Sequence, residues 1–397
     1  MKKGQTYSHA ETRSSRRESS WQTKPLEEVC SVEYGTRVVQ KRDGGKGFPV
    51  YGGGGATFEM DGFNREDRLV VARFGMSEEC TRFVAGKFFL NDSGLTVSPK
   101  NGAMHQRFLD YQMLALSDDI YALGKGTAQK NLDVPVFRTL QLFVPESLAE
   151  QQRIVGLLDE AFEGLATAKA NAENNLQNAR ALFESHLQSV FTQRGPGWVE
   201  KPLAELCDRI TKGSSPKWQG ISYVGAPGIL FVTSENVGEY EILLDQPKYV
   251  EEKFNAKDKK SILRNGDVLT NIVGASIGRT AVFDRDDVAN INQAVCLIRC
   301  EPYLLNNYYL TYLLNSPVFK QVLHDNEVNN ARANLSLGFF SQLPVPMPPI
   351  PKQKEIVAKL DAFREETQRL ARLYERKQAA LEALKKSLLH QAFTGEL

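Results

Sequence analysis

Apolar residues in the last fifty positions of this chain recur at alternating steps of four and three. Ile356, Leu360, Phe363, Thr367, Leu370, Tyr374, Lys377, Leu381, Leu384, Leu388 and Gln391 form one ladder, and eight of these eleven are apolar. A 4-3 period held this long is a coiled-coil seam rather than one face of a surface helix. The same ladder stands 202 positions earlier as Ile154, Leu158, Ala161, Leu165, Ala168, Ala172, Asn175, Ala179, Leu182, His186 and Ser189. The spacing therefore predicts two long helices. Ser147 with Glu150 is a capping-box pattern for the first, and Pro351 suits the first turn of the second. Gly195-Pro196-Gly197 and Gly395 stop them. Asn175 and Lys377 hold one shared rung, and as polar members of the seam they are expected to fix its register.

The helices belong to a larger duplication. Trp21, Lys24, Pro25, Leu26, Glu28 and Cys30 recur as Trp198, Lys201, Pro202, Leu203, Glu205 and Cys207, an offset of 177. EQQRIVGLLD (150–159) recurs as KQKEIVAKLD (352–361), and Phe191-Thr192 as Phe393-Thr394, each at an offset of 202. Between these markers lie mixed segments. Leu69 to Ala72 and Val268 to Val273 read as strands, each followed by a small-residue turn at Gly75-Met76-Ser77 or Gly274-Ala275-Ser276. The second copy carries roughly 22 extra residues between Cys207 and Gly266, judged from the jump in offset. Variation confined to loops on a shared scaffold is how binding specificity is usually changed. Two copies related by a pseudo-twofold must place their helices head to tail. The expected fold is α+β: two globular mixed α/β domains, 21–145 and 198–347, separated by two long antiparallel coiled-coil helices, 146–197 and 348–397. The arrangement is pseudo-twofold and nearly circular, with the end of the second helix beside residue 21, and residues 1–20 read as a mobile basic tail.

Charge refines this picture. The net charge is only +1, so overall basicity does not mark a nucleic-acid partner. Residues 146–197 carry a net −3 and residues 348–397 a net +3, which favours pairing of the two helices with each other. No run of 18 apolar residues exists, so no membrane span is expected. The basic start lacks the apolar stretch of a secretory signal. Five scattered cysteines read as reduced thiols of a cytoplasmic protein.

Catalytic chemistry has little support. Gly52 to Gly55 is not followed by the lysine and hydroxyl of a phosphate loop. Met347-Pro348-Pro349-Ile350 lacks the polar and aromatic flanks of the amino-methyltransferase motif it superficially echoes. Glu251-Glu252-Lys253 has no partner acid for a nuclease site and reads as a solvated charge run. The five histidines show no metal-ligand spacing. No catalytic residue, metal site or cofactor site is therefore assigned to the chain.

The residues resemble the specificity subunit of type I restriction-modification systems. The resemblance rests on Gly126 to Leu132, Leu140 to Pro145, Glu150 to Val155 and Leu158-Asp159. It rests equally on Ala333-Asn334-Leu335, Leu343 to Pro346, Pro348-Pro349, Gln353, Ile356-Val357, Leu360-Asp361 and the closing Phe393 to Leu397. It covers residues 21–397. Two positions depart from the pattern: Lys354 stands where the first copy has Gln152, and Gly126-Thr127 has no counterpart at Asn329-Asn330.

The resemblance implies that each globular part is a target-recognition domain reading half of a split double-stranded DNA site. It implies that the helices act as a ruler and dock two modification subunits, which bring S-adenosylmethionine and methylate adenine. Restriction and translocase subunits using ATP and Mg would join the complex. A 46-residue helix from Ser147 to Thr192 is at most about 69 Å long at ~1.5 Å per residue, or roughly 20 base pairs of duplex. Because the two domains differ in sequence, an asymmetric target is expected. The candidate DNA contacts are polar loop residues: Arg37, Lys41, Arg42, Lys46, Tyr51, Arg73 and Lys130 in the first domain. In the second they are Lys212, Lys217, Trp218, Asn271, Ser276, Arg279 and Arg332. Arg and Asn can make bidentate base contacts, while Lys more often holds phosphate.

Overall fold

The computed structural model describes residues 21–102, 104–329 and 335–397. Two long helices, Leu148–Thr192 and Ile350–Thr394, are each 45 residues. The chain divides into two compact units, and both divisions fall inside these helices. The first unit ends at Ala172 and takes in Arg376–Leu397; the second is Glu173–Glu375. The helices are divided because their two halves serve different cores. Ile154, Val155 and Leu158 join the first core, while Leu187 and Phe191 join the second. Likewise Ile356, Val357 and Leu360 belong to the second core, and Leu389, Ala392 and Phe393 to the first.

The first unit is built on a six-stranded mixed sheet. Its order is Cys30–Tyr34, Gly94–Pro99, Arg65–Ala72, Thr81–Leu90, Phe48–Tyr51 and Glu59–Met60. The helix Gln106–Ala115 packs Phe108, Leu109 and Met113 into the core. A separate ribbon pairs Trp21–Pro25 with Gln141–Pro145 and carries the chain to the first long helix. Trp21 lies 6.4 Å from the Phe108 ring, and Phe108 lies 5.1 Å edge-on from Phe393. A Cβ on Gly395 would come within 3.9 Å of Trp21 Nε1, so the end of the second helix does lie beside residue 21.

The second unit repeats this plan. A four-stranded sheet runs Cys207–Lys212, Val295–Cys300, Asp267–Asn271 and Thr280–Phe283, and a second sheet pairs Ile229–Val232 in parallel with Ala289–Ile291. Val199–Pro202 pairs with Pro344–Met347 as the ribbon does in the first unit. Trp198 and Phe191 flank Tyr309 at 6.4 and 5.4 Å, the counterpart of Trp21, Phe393 and Phe108. The recurring Trp and Phe-Thr sequences are thus one aromatic clasp made twice.

The repeated EQQRIV and KQKEIV sequences hold a buried lock. Gln151 is fully buried; its Oε1 accepts from His105 N at 2.7 Å and its Nε2 donates to Pro145 O at 3.1 Å. Gln353, also fully buried, accepts from Asn306 N at 2.8 Å and donates to Leu304 O at 3.1 Å and Pro348 O at 2.9 Å. One glutamine therefore ties each long helix to the loop before a core helix and to the strand or turn that precedes it. A second tie lies about two helical turns later. Tyr111 Oη donates to Asp159 and Tyr312 Oη donates to Asp361. Burial raises both phenols, Tyr111 to about 12.

The long helices run antiparallel within each unit. In the first, Arg153 donates to Leu397 O at 2.9 Å, Lys385 lies 5.4 Å above the Phe162 ring, and Lys169 pairs with Glu382 at 2.6 Å. In the second, Arg180 pairs with Glu375 at 2.9 Å and His186 meets Phe363 at 4.8 Å. Both ion pairs are solvent-exposed and contribute little; in each the cation comes from the net-acidic helix. The apolar stripe, not the opposite net charge, sets the pairing.

The expected register residues need correction. The buried stripe follows the ladder from Ile154 to Ala172, then moves to Leu176, Ala179, Phe183, Leu187 and Phe191. Asn175 and Lys377 are exposed, as are Leu182, His186 and Leu384. A straight helix has about 3.6 residues per turn and drifts away from a 3.5 repeat. Here the drift brings Leu187 and Phe191 into the second core, so neither polar residue is a rung of the seam. Glu150 also departs from the capping-box pattern: its carboxylate grips Arg153 at 2.8 and 2.9 Å.

Two predictions arise from the cores. Asp110 is buried on the helix Gln106–Ala115, with Gln106 Nε2 donating to it at 2.8 Å. Burial pushes its carboxyl up to about 6, against the opposing pull of Gln106, Arg68 and Arg107. The folded protein then holds a proton that the unfolded chain has released. This contribution is full below about pH 4 and is lost as pH rises through about 6. Asp110→Asn should stabilise the first unit at pH 7.5 by about 2–3 kcal/mol, at ~1.4 kcal/mol for each pH unit separating the two values. Urea midpoints should show that gain shrinking toward zero at pH 4.

Cys207 faces Cys300 across two antiparallel strands, and Glu301 N bonds to Leu206 O at 2.9 Å beside them. This makes them a non-hydrogen-bonded pair, for which Cα atoms lie about 4.5 Å apart, within the range a disulfide spans. Cys30, the repeat of Cys207, instead faces Pro99. Glutathione disulfide should link Cys207 to Cys300, releasing two glutathione thiols, and leave Cys30 reduced. Peptide mapping under non-reducing conditions checks this, with Cys207→Ser as the control that abolishes the link.

Candidate nucleic-acid interface

At one end of each sheet the strand ends are held by the same set of backbone bonds. In the first domain Asn91 N donates to Tyr51 O at 2.8 Å, Arg73 N to Ser93 O at 2.8 Å, and Leu132 N to Arg73 O at 2.8 Å. In the second, Asn292 N donates to Val232 O at 3.1 Å, Ile272 N to Ala294 O at 2.9 Å, and Leu335 N to Ile272 O at 3.0 Å. The turn side chains repeat as well: Asn91 Oδ1 accepts from Ser93 N at 2.9 Å, and Asn292 Oδ1 from Ala294 N at 3.0 Å. Gly35 and Gly213 start equivalent loops under equal constraint. A Cβ would lie 1.9 Å from Asn91 O at Gly35 and 1.8 Å from Ile291 O at Gly213, so only glycine fits.

These matches locate the inserted residues. The offset is 178 at Gly35 and Gly213, 181 at Tyr51 and Val232, and 199 at Arg73 and Ile272. Most of the added length therefore follows Val232. It supplies the strand Tyr249–Val250 and the short helix Lys253–Lys257.

In the first domain the loops at this end bring together residues distant in sequence. The Arg73 guanidinium lies 4.8 Å from the Tyr34 ring and 4.5 Å from the Phe74 ring, and it donates to Asp92 O at 3.4 Å. Gly53 N donates to Ser93 Oγ at 3.1 Å, which draws the Gly52 to Gly55 loop against the same turn. Gly75, with φ +61, donates to Asn131 Oδ1 at 3.2 Å, and Met76 N to Lys130 O at 2.9 Å. Lys130 Nζ sits 3.9 Å above the Tyr121 ring. Arg37, Lys41, Arg42 and Lys46 are exposed on the loop that starts at Gly35. Arg42 grips Asp43 with two bonds of 2.8 Å and holds that carboxyl below its usual range. Tyr51 is half-buried, edge-on to Phe88 at 5.6 Å.

In the second domain Lys212, Lys217, Trp218 and Arg279 are exposed and Ser276 is half-buried. Asn271 has a different place from the one expected. It is fully buried, and its Nδ2 donates to Ser234 O at 2.9 Å, Val237 O at 3.2 Å and Ser276 Oγ at 3.1 Å. Its amide is thus committed to shaping the loop that carries Ser276 and Arg279. Arg332 and residues 1–20 lie outside the described residues.

Beyond Tyr51 and Trp218, three aromatic members of this surface were missed. Tyr34, Phe74 and Tyr223 are exposed large rings beside cations or loop backbone. Tyr34 and Phe74 each precede a loop-opening glycine (Gly35 and Gly75), a signal that was present but unread. Together the loops offer cations, amides and ring faces, the groups that hold phosphate, read base edges and stack on bases.

Comparison with known proteins places the chain in a family. The family model for the type I restriction modification DNA specificity domain matches twice, over residues 18–177 and 196–378. The EcoBI specificity subunit of a type I restriction enzyme from Escherichia coli is 25% identical over 331 residues, covering 78% of this chain and 69% of that protein. The MjaVIII specificity subunit from Methanocaldococcus jannaschii is 23% identical over 335 residues, covering 79% and 76%. In fold, a chain from a structure of a type I restriction-modification system matches with a TM-score of 0.73, 19% identity and coverage of 95% and 98%. The HsdS subunit from Thermoanaerobacter tengcongensis matches at 0.54 and 20% identity, covering 95% and 97%. With both copies of the duplication matched by the family model, the chain belongs to the type I restriction-modification DNA specificity family.

Proposed function

We propose that each domain reads one half of an asymmetric, bipartite duplex DNA target through the loops at this end of its sheet. The observation that carries the reading is the contrast within the duplication. The backbone bonds at the loop roots recur residue for residue, while the side chains beyond them differ. Arg37, Lys41, Arg42 and Lys46 stand on the first loop where Lys217 and Trp218 stand on the second. A common frame with unlike reading groups gives two unlike half-sites. Arg73, held between two rings, and the exposed Arg279 are the foremost base readers, since a preoriented guanidinium can grip a guanine edge. Lys41, Lys46, Lys130 and Lys212 hold phosphate.

The chain reads and does not itself catalyse. Its long helices dock two modification subunits, which use S-adenosylmethionine to methylate adenine; restriction and translocase subunits driven by ATP and Mg complete the system. The low net charge of +1 fits that division, because partner subunits add much of the nonspecific attraction for phosphate. Joining two weak readers raises affinity through effective concentration.

Footprinting of the full chain assembled with its modification subunits tests this. Two separated protected patches are expected. Protection of a single continuous patch, or none, would sink the bipartite reading.

A further inference from the structure

Trp218 is 83% exposed, second only to Tyr303 at 89% among the large rings of the described residues, yet it rides on a tightly fixed loop. The loop begins at Gly213, jammed against Ile291 O, and turns through one short 3-10 helix, Lys217–Gln219. Gln219 N and Ile221 N both donate to Pro216 O at 3.0 Å, and Gly220 closes the turn with φ +64. Ser214 Oγ donates to Asp258, Gln219 Nε2 donates to Ser214 Oγ, and Lys257 Nζ donates to Gln219 O at 2.6 Å. Beneath the turn, Ile221 packs with Ile229, Phe231, Val250 and Phe254 in a small core of its own. An indole face left in water on a rigid support loses little side-chain freedom when a partner covers it.

The position narrows the kind of partner. Lys212 ends the strand that opens this loop, and Lys217 precedes the ring. Tyr223, later on the same stretch, is 57% exposed and lies edge-on to Phe231 of the small core at 5.9 Å. The loop leaves the same sheet end as the Asn271 to Arg279 loop and the Asn292 turn. Its counterpart in the first domain, residues 35–47, contains no aromatic residue. The ring is therefore peculiar to the second reader, and cations flank it.

We propose that Trp218 is a wedge that stacks against a base of the half-site read by the second domain, with Lys217 and Lys212 on the adjoining phosphates. Side chains that insert at a base step unstack it and kink the duplex. The inference rests on the DNA-reading function proposed above. Stacking on one base is worth about 1–3 kcal/mol, or roughly 5- to 150-fold in affinity.

The test uses the full chain assembled with its modification subunits and a duplex carrying the mapped target, with 2-aminopurine placed at successive positions. Binding should raise the probe's fluorescence at one step of the second half-site. Trp218→Ala should abolish that rise and weaken binding about 10- to 100-fold, while the footprint over the first half-site persists at raised protein concentration. Trp218→Phe should recover most of both. If the unaltered chain gives a footprint and Trp218→Ala binds within twofold of it, the wedge is wrong and the DNA-reading function stands. If Trp218→Ala loses the modification subunits on copurification, the ring docks protein instead, which also overturns the wedge. If the unaltered assembly gives no footprint at all, the underlying function fails, and the wedge with it.

Discussion

Replacing Gln353 by leucine is expected to destabilise the second unit by about 3–5 kcal/mol, because each buried polar group left unpaired costs roughly 1–3 kcal/mol. The substitution strands Asn306 N, Leu304 O and Pro348 O, all partners of one side chain. Leucine is close in size, so a cavity adds little. Gln151→Leu should destabilise the first unit in the same way, since it strands His105 N and Pro145 O among others. The neighbouring Lys354 is exposed, so Lys354→Ala should stay within about 0.5 kcal/mol of the parent, as surface substitutions usually do. Hydrogen exchange over the strand Pro344–Met347 and the start of the second long helix separates these outcomes. If Gln353→Leu matched Lys354→Ala, the lock would be incidental to the fold.

Exchange of residues 21–145 for the corresponding domain of another family member should change one half of the DNA target completely and leave the other half unaltered. The reason lies in the two cores. The first sheet has its own hydrophobic core with Phe108 and Leu109, and its loop bonds close within the domain. What an incoming domain must match is the clasp at Trp21, Phe108 and Phe393 and the Gln151 tie. Methylation of reporter plasmids carrying old and new half-site combinations reads the result. Alteration of both halves at once would contradict two independent readers.

Much of the fold was legible because duplication gives each residue a second context. Trp21 with Trp198 and Phe191 with Phe393 marked the clasps before their ring partners were known. Pro351 and the glycines bracket the helices, which span Leu148–Thr192 and Ile350–Thr394, two to five residues inside the expected 146–197 and 348–397 at each end. The strand expected over Val268 to Val273 ends at Asn271, because Ile272 turns away to bond Ala294 and Leu335. No local pattern announces those partners.

The seam register was misread for a related reason. A ladder written at 3.5 residues per turn cannot show where a straight helix departs from it, and the departure is decided by the core that claims Leu187 and Phe191. Gln151 and Gln353 lay inside the quoted motifs, yet their burial depends on loops some fifty residues away in sequence. Asn271 looked like a base reader by residue type, whereas three acceptors inside the domain hold its amide. The surface proposed to read DNA is assembled from loops around 35, 53, 74, 92 and 130, so no single stretch of sequence displays it.

Mapping methylated adenines in the genome of cells that express this chain with its modification subunits tests the central claim most directly. The expected result is one motif of two specified segments, unlike each other and separated by a fixed number of unspecified positions. A single uninterrupted motif, or two identical half-sites in inverted order, would contradict the account of two unlike readers on a common frame.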